Sequence, residues 1–293
     1  MKSFEYYAPD SLEEAADILA RFSGRAAVLA GGTDLIPDLK RKKRAPECLV
    51  NIKNIVGLRA IEEEEGGLKI GSLTTIQDVI AAPRLSGVHG LLRQAAVHLA
   101  TPQIRVRATV GGNICHASPA ADLAPPLMAL DSRAIIQTPR GRLRLALDDF
   151  FLGPRRTALG PEDLLVGLTV PRPEGAAGTC FLKIGRTKMA DLALVNVAVF
   201  VELSRADRRC CQARIVLGAV APTPIRARRA EEMLVGNMVG HDLIEETARS
   251  AAEETQPISD VRASREYRKE MARVLTVRAL RAAVDLAETA AAA

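Results

Sequence analysis

A chain of 293 residues, 48% apolar and 26% charged, is long enough for two or three modest lobes with real cores. The net charge of +5 is small for this length and only 3% of residues are aromatic, which argues against nucleic acid as a partner. No run of about 18 apolar residues occurs, so no membrane span is expected.

The opening "MKSFEYYAPDSLEEAADILA" places acidic residues where an export leader would carry its apolar stretch, and a cytoplasmic location is expected. Ser11 and Glu14 form a capping-box pattern, and Leu12, Ala15, Ala16 and Leu19 follow at helical spacing until Ser23-Gly24. "AAVLA" (26–30) reads as a short buried strand that runs into "AGGTDLIPDLK", and "CLVNI" (48–52) as a second strand. The basic run Lys40–Arg44 is either a solvated loop or a docking edge. "EEEEGG" (62–67) reads as a turn, "LKIGS" as a strand, and Thr74 with Gln77 as a capping box. A helix from about Val88 to Ala100 puts Val88, Leu91, Leu92, Ala95 and Leu99 on one face.

Strands follow at 133–138, 141–147 and 164–170, and "PRPEG" (171–175) reads as a linker. Beyond it, "CFLKIG", "LALVNVAVFVEL" and "ARIVLGAV" are strands, followed by helices near 227–235, 241–254 and 264–288. The last helix carries a stripe of Tyr267, Met271, Val274, Leu275 and Leu286, and the alanines of 290–293 are expected to fray. The chain thus divides into an α/β unit (1–57), a second α+β unit (58–175) and a sheet-plus-helices unit (176–293).

Two glycine loops share one logic. "AGGTDL" (30–35) and "TVGGNICHASPAADLAPPLMALD" (109–131) each follow an apolar segment with Gly-Gly. Glycine lets main-chain N–H groups approach a ligand, and several together make an anion nest suited to a diphosphate. A side chain at Gly32 or Gly111 is then expected to fill the phosphate's place. Thr33, Thr109 and Asn113 add side-chain donors, and the Asp122 carboxylate can accept from a ribose or cap a helix beginning near Leu123. Neither G-x-G-x-x-G nor a P-loop is present. His89, His98 and His241 lack metal-ligand spacing, and His116 lies beside the second loop. Cys48, Cys115, Cys180, Cys210 and Cys211 form no CxxC, so reduced thiols and no iron–sulfur ligation are expected.

The two loops resemble the flavin loops of the FAD-binding subunit of molybdenum hydroxylases, the family of the carbon monoxide dehydrogenase medium subunit and the xanthine dehydrogenase flavin part. The resemblance continues in order through segments 101–113, 161–171, 181–199, 221–234 and 259–271. It implies a two-subdomain FAD-binding domain of the vanillyl-alcohol-oxidase (PCMH) type, followed by a three-stranded sheet with a helical bundle. Leu29, Ala30, Gly31, Gly32, Thr33, Asp34 and Leu35 would wrap the diphosphate. Ala108, Thr109, Val110, Gly111, Gly112 and Asn113 would grip it from the other side. Asp122 would hold the ribose or the polar end of the dinucleotide, Leu165 would line the adenine pocket, and Lys183 would lie near the flavin ring. Leu99 stands where some relatives place an aromatic against the ring. By periodicity alone, Leu99 and Leu165 read as core, Lys183 as a strand residue facing water, and Arg186 with Asp191 as a structural pair.

The resemblance implies an electron-transfer oxidoreductase subunit that works beside a large molybdenum-cofactor subunit and a small [2Fe-2S] subunit, in a dimer of heterotrimers. FAD would take electrons from the iron–sulfur centres and pass them to NAD+ or a quinone, and no side chain of this chain would act on the organic substrate. A related reductase of an aromatic thioester has a cysteine-rich [4Fe-4S] insertion that this sequence lacks. Two rival readings are a stand-alone flavin oxidase, disfavoured by the poverty in aromatics, and a flavin-free scaffold, disfavoured by the intact glycine loops.

Overall fold

The computed structural model describes residues 2–187 and 190–292; Lys188 and Met189, within the segment 181–199 quoted above, lie outside the described residues, as does Ala293 at the end expected to fray. The first unit is β1 (Glu5–Tyr7), α1 (Leu12–Phe22), β2 (Ala26–Leu29), α2 (Leu35–Lys40) and β3 (Cys48–Asn51). Its strands form a parallel sheet in the order β1-β3-β2. Ser11 Oγ accepts the Glu14 N–H at 3.1 Å, meeting one orphan donor of the first turn of α1, and the Glu14 carboxylate reaches past the cap to take the N–H of Asp10 at 3.1 Å. Ser23 ends the helix at φ 42°. β1 has too few residues to show a pattern and is held by its pairing with β3.

The second unit is β4 (Ile61–Glu64), β5 (Gly67–Gly71), α3 (Ile76–Ala81), α4 (Gly90–Ala96), α5 (Pro102–Arg105), α6 (Val110–His116), α7 (Ala124–Ala129), β6 (Arg133–Thr138), β7 (Gly141–Ala146), α8 (Leu147–Phe150), β8 (Phe151–Gly153), β9 (Arg156–Thr157) and β10 (Leu164–Pro171). Five strands make an antiparallel sheet in the order β4-β5-β10-β6-β7. The acidic run is therefore a strand through Glu64, and the turn is only Glu65-Gly66. β4 is an edge strand whose side chains face water, so charge is tolerated there, and Glu62 pairs with Lys69 on β5 at 3.4 Å. The cap of α3 is Thr75 with Asp78, not Thr74 with Gln77; the Thr74 hydroxyl donates instead to the Ala60 carbonyl. The helix expected at 88–100 is a 3-10 turn at Gly87–His89 followed by the shorter α4. Its trailing carbonyls, of Val97, Leu99 and Ala100, accept from the Arg105 guanidinium at 2.6, 2.6 and 3.1 Å.

The third unit is β11 (Ala176–Ile184), β12 (Val195–Leu203), β13 (Cys210–Gly218), β14 (Ile225–Arg226), α9 (Arg228–Leu234), α10 (His241–Glu253) and α11 (Arg265–Ala292). Its three long strands pair antiparallel, and the two-residue β14 adds a fourth. One face of this sheet shares a core with the second unit, through Phe181, Ala198, Phe200 and Val216; the other face packs on α10 and α11. None of the helices formed by the described residues is long and apolar enough to cross a membrane.

The stripe expected along α11 is displaced. Tyr267 and Leu286 are 43% and 51% exposed, Leu275 is buried as expected, and with it are buried Arg268, Ala272, Thr276, Val277, Ala279, Leu280, Ala283, Val284 and Ala287. Small residues are needed because helix and sheet approach closely: a Cβ on Gly178 of β11 would overlap the Ala283 carbonyl. The helix continues through Ala292. Gly178→Val is expected to lower unfolding free energy by at least about 3 kcal/mol, the upper end of ordinary overpacking, because backbone cannot rotate away. Urea denaturation at neutral pH measures it.

Candidate functional site

A cleft of about 440 Å³ opens where the bend after β2, the bend leading into α6 and the hairpin between β11 and β12 converge. It is lined by Ala30, Gly31, Gly32, Thr33, Asp34, Leu35, Leu99, Ala108, Thr109, Gly112, Asn113 and Asp122 among the residues expected from sequence. Leu29, Val110, Gly111, Leu165 and Lys183 do not line it.

The first bend is built for main-chain exposure. Gly32 has φ +73°, a left-handed conformation in which side chains are strained. A Cβ on Gly31 would overlap the Arg107 carbonyl, so the two bends touch backbone to backbone. Lys53 Nζ reaches the Ala30 carbonyl at 3.4 Å from behind. Among the described residues, the N–H groups of Gly31, Gly32, Thr33 and Asp34 donate to nothing, and the Asp34 side chain makes no cap bond to α2. Four consecutive free amides beside a cleft are an anion nest.

The second bend differs from expectation. Most of its amides are already engaged: Val110 N–H to Thr74, Gly111 N–H to Ser72, Asn113 N–H to the Thr109 carbonyl, and Gly112 N–H to Thr109 Oγ1 at 3.0 Å, while among the described residues the Thr109 N–H donates to nothing. Thr109 is the N-cap of α6, and capping consumes the donors that a ligand would need. Gly111 serves packing: a Cβ there would lie 2.7 Å from Ser72 Cβ, so a side chain would strike protein and not a phosphate. The bend offers side chains instead. Asn113 Oδ1 is buried without a partner while its residue lines the cleft, an orphan that a ligand donor would satisfy.

Asp122 is not a helix cap; Leu123 holds that position at the start of α7 and no side-chain bond is made there. Its carboxylate instead accepts from Lys183 Nζ at 2.7 Å and Asn196 Nδ2 at 3.2 Å. Lys183 also donates to the His98 carbonyl at 3.1 Å and its side chain is 7% exposed, so it does not face water. Burial pushes the Asp122 carboxyl up, and the Lys183 ammonium works against that shift. Leu165 is 5% exposed on β10, opposite Ile136, in the apolar core of the second unit and away from the cleft wall. Leu29 packs behind the first bend, its Cδ1 3.0 Å from where a Gly32 Cβ would be.

Several lining residues carried no assignment in the sequence. Arg44, the end of the basic run, reaches the cleft while the rest of that run is solvated. Ser118, Ala120 and Ala121 belong to the glycine-loop stretch and could have been included on proximity to Asp122. Ala190, Asp191 and Leu192 come from the hairpin of the third unit, and only its folding brings them here. Asp191 holds that hairpin by accepting from the N–H groups of Arg186, Thr187 and Leu192, and its ion pair with Arg186 is long at 3.9 Å. His116 lines the cleft with Nε2 3.9 Å from Asp34. Burial pushes the Cys115 thiol up to about 12, so this cleft-lining cysteine stays protonated.

The family described as the FAD binding domain in molybdopterin dehydrogenase matches residues 2–173, and the CO dehydrogenase flavoprotein C-terminal domain matches residues 180–283. The chain is 34% identical over 280 residues to the carbon monoxide dehydrogenase medium chain of Hydrogenophaga pseudoflava, covering 96% of each. It is 32% identical over 284 residues to a putative xanthine dehydrogenase FAD-binding subunit of Escherichia coli, again covering 96% of each. The solved carbon monoxide dehydrogenase from Hydrogenophaga pseudoflava superposes with a TM-score of 0.93 at 34% identity, covering 97% of this chain and 98% of that chain. With the fold, the cleft and both halves of the chain in agreement, this protein belongs to the family of FAD-binding medium subunits of the molybdenum hydroxylases.

Proposed function

We propose that the cleft holds FAD and that the chain relays electrons within a cytoplasmic complex. A small subunit with [2Fe-2S] centres delivers them, a large subunit with the molybdenum cofactor generates them, and NAD+ or a quinone receives them. Two such heterotrimers pair. The observation that carries this reading is the row of unspent amides at Gly31–Asp34 opposite the orphaned Asn113 oxygen. Bound FAD supplies one-electron uptake and two-electron delivery, chemistry that no side chain provides.

The chain's own residues supply binding, charge balance and exclusion of water. The first bend offers donors to a diphosphate, and Arg44 at the cleft adds positive charge. Asn113 offers its amide to a polar group of the nucleotide. Leu99, Ile104 and Leu192 give the cleft apolar surface in place of an aromatic. Asp122 presents a carboxylate whose charge Lys183 balances from behind. Lys183 is thus proposed to act through Asp122. Leu165 lies in the apolar core and does not line the cleft.

The full chain purified free of its partners is expected to show the visible flavin absorption and about one FAD per chain; a colourless chain that ignores added FAD rejects the reading. Gly31→Ala forces the two bends apart and is expected to weaken FAD binding at least tenfold, about 1.4 kcal/mol, in a fluorescence titration. Lys183→Met leaves a buried carboxylate without its cation, which is expected to cost about 3–5 kcal/mol of stability at pH 8. Because the Asp122 pKa then rises further, the native state binds the extra proton and the loss shrinks as pH falls toward 5. Urea denaturation at both pH values checks the sign.

A further inference from the structure

The segment 259–271, "SDVRASREYRKEM", contributes no residue to the cleft, yet it ends in a buried cation that reaches two of the cleft's supports. Arg268, in the first turn of α11, is 4% exposed. Its Nη1 donates to the Leu194 carbonyl at 2.7 Å and the Ala219 carbonyl at 3.3 Å, and its Nη2 to Asp260 Oδ1 at 2.9 Å. Nε has no partner. Asp260 is fixed in turn by the N–H groups of Arg262 and Ala263. Those bonds, the Arg262 one foremost, together with Arg268, hold its carboxyl down to about 2.

Both carbonyls belong to residues that brace the cleft. Leu194 closes the hairpin between β11 and β12, its N–H donating to the Ile184 carbonyl at 2.8 Å, and that hairpin carries Asp191 and Leu192 on the cleft wall. Ala219 follows β13 with φ +64°, a strained value for a residue with a side chain. Its N–H donates to the Pro119 carbonyl at 2.7 Å, and Pro119 lies between Ser118 and Ala120, which line the opposite stretch. One guanidinium therefore ties a wall from the second unit and a wall from the third to the same helix. An apolar side chain would fill this space without desolvating a charge. What arginine adds is a rigid fork of directed donors, which fixes where the two carbonyls lie.

We propose that Arg268 is a positioning residue for the flavin cleft. It sets the spacing of the hairpin arm 190–194 and the bend 118–122, and through them the affinity and reduction potential of FAD, without touching the cofactor. The proposal rests on the reading that the cleft holds FAD.

The test compares the full wild-type chain with Arg268→Ala, Arg268→Lys and Leu280→Ala, the last a core truncation in the same helix. FAD affinity is titrated on FAD-free protein, melting temperature is taken on the same samples, and the potential of the bound flavin is measured by spectroelectrochemistry. Arg268→Ala is expected to weaken FAD at least about tenfold and to shift the potential, with Arg268→Lys intermediate. Leu280→Ala is expected to lower the melting temperature yet keep FAD affinity within about twofold. Wild-type affinity and potential in Arg268→Ala overturn the proposal, and so does an equal loss of affinity in Leu280→Ala at equal melting temperature. If Arg268→Ala does not fold, Arg268→Lys decides: weaker FAD at an unchanged melting temperature supports the role, and wild-type affinity refutes it. A wild-type chain that takes up no FAD overturns the flavin reading, and this proposal with it, before any variant is measured.

Discussion

The contact of Gly31 with the Arg107 carbonyl is the constraint on which the cleft depends. Two bends from different units meet this closely, backbone to backbone, because one of them has no side chain at the point of contact. That approach orients the first bend so that Gly31–Asp34 keep their amides free. It also sets the second bend, most of whose own amides are spent on capping α6 and bridging to Ser72 and Thr74. The two glycine pairs look alike in sequence, and their physical duties differ. One exposes donors, and the other lets a helix lie close against the end of β5.

The same division runs through the polar groups. Buried charge in this chain is paired: Asp122 with Lys183, Asp260 with Arg268, Glu231 with Arg226 at 2.6 Å. Such pairs add little net stability over apolar packing, and each fixes a geometry that apolar packing leaves loose. In the first two cases, a carboxylate and a cation sit behind a cleft wall or its brace, where a small displacement would change the distance between donors.

Much of this was legible from residues alone. The α+β character, the long strands of the third unit and the placement of the two glycine loops beside a shared cleft follow from periodicity and from glycine chemistry. Glu62–Glu64 misled because charge signals a turn unless the strand is an edge, and edges are set by tertiary pairing. The α11 stripe misled because apolar size was read as burial, whereas alanines take much of the inner face where the helix comes close to Gly178 of β11, with Leu275, Val277, Leu280 and Val284 buried among them. Leu165 alternates correctly for a core strand, and that is where it lies. No pattern in the sequence could announce Ala190–Leu192 or Arg268, since their relation to the cleft is made by a hairpin and a helix from the far end of the chain.

That last relation bears on the order in which the molecule matures. Both glycine bends precede their supports in the chain: the Asp122 carboxylate finds its counter-ion only on β11, and the wall at 190–192 is braced from α11, which follows later still. A nascent chain stopped short of α11 therefore has the cleft with one wall unbraced.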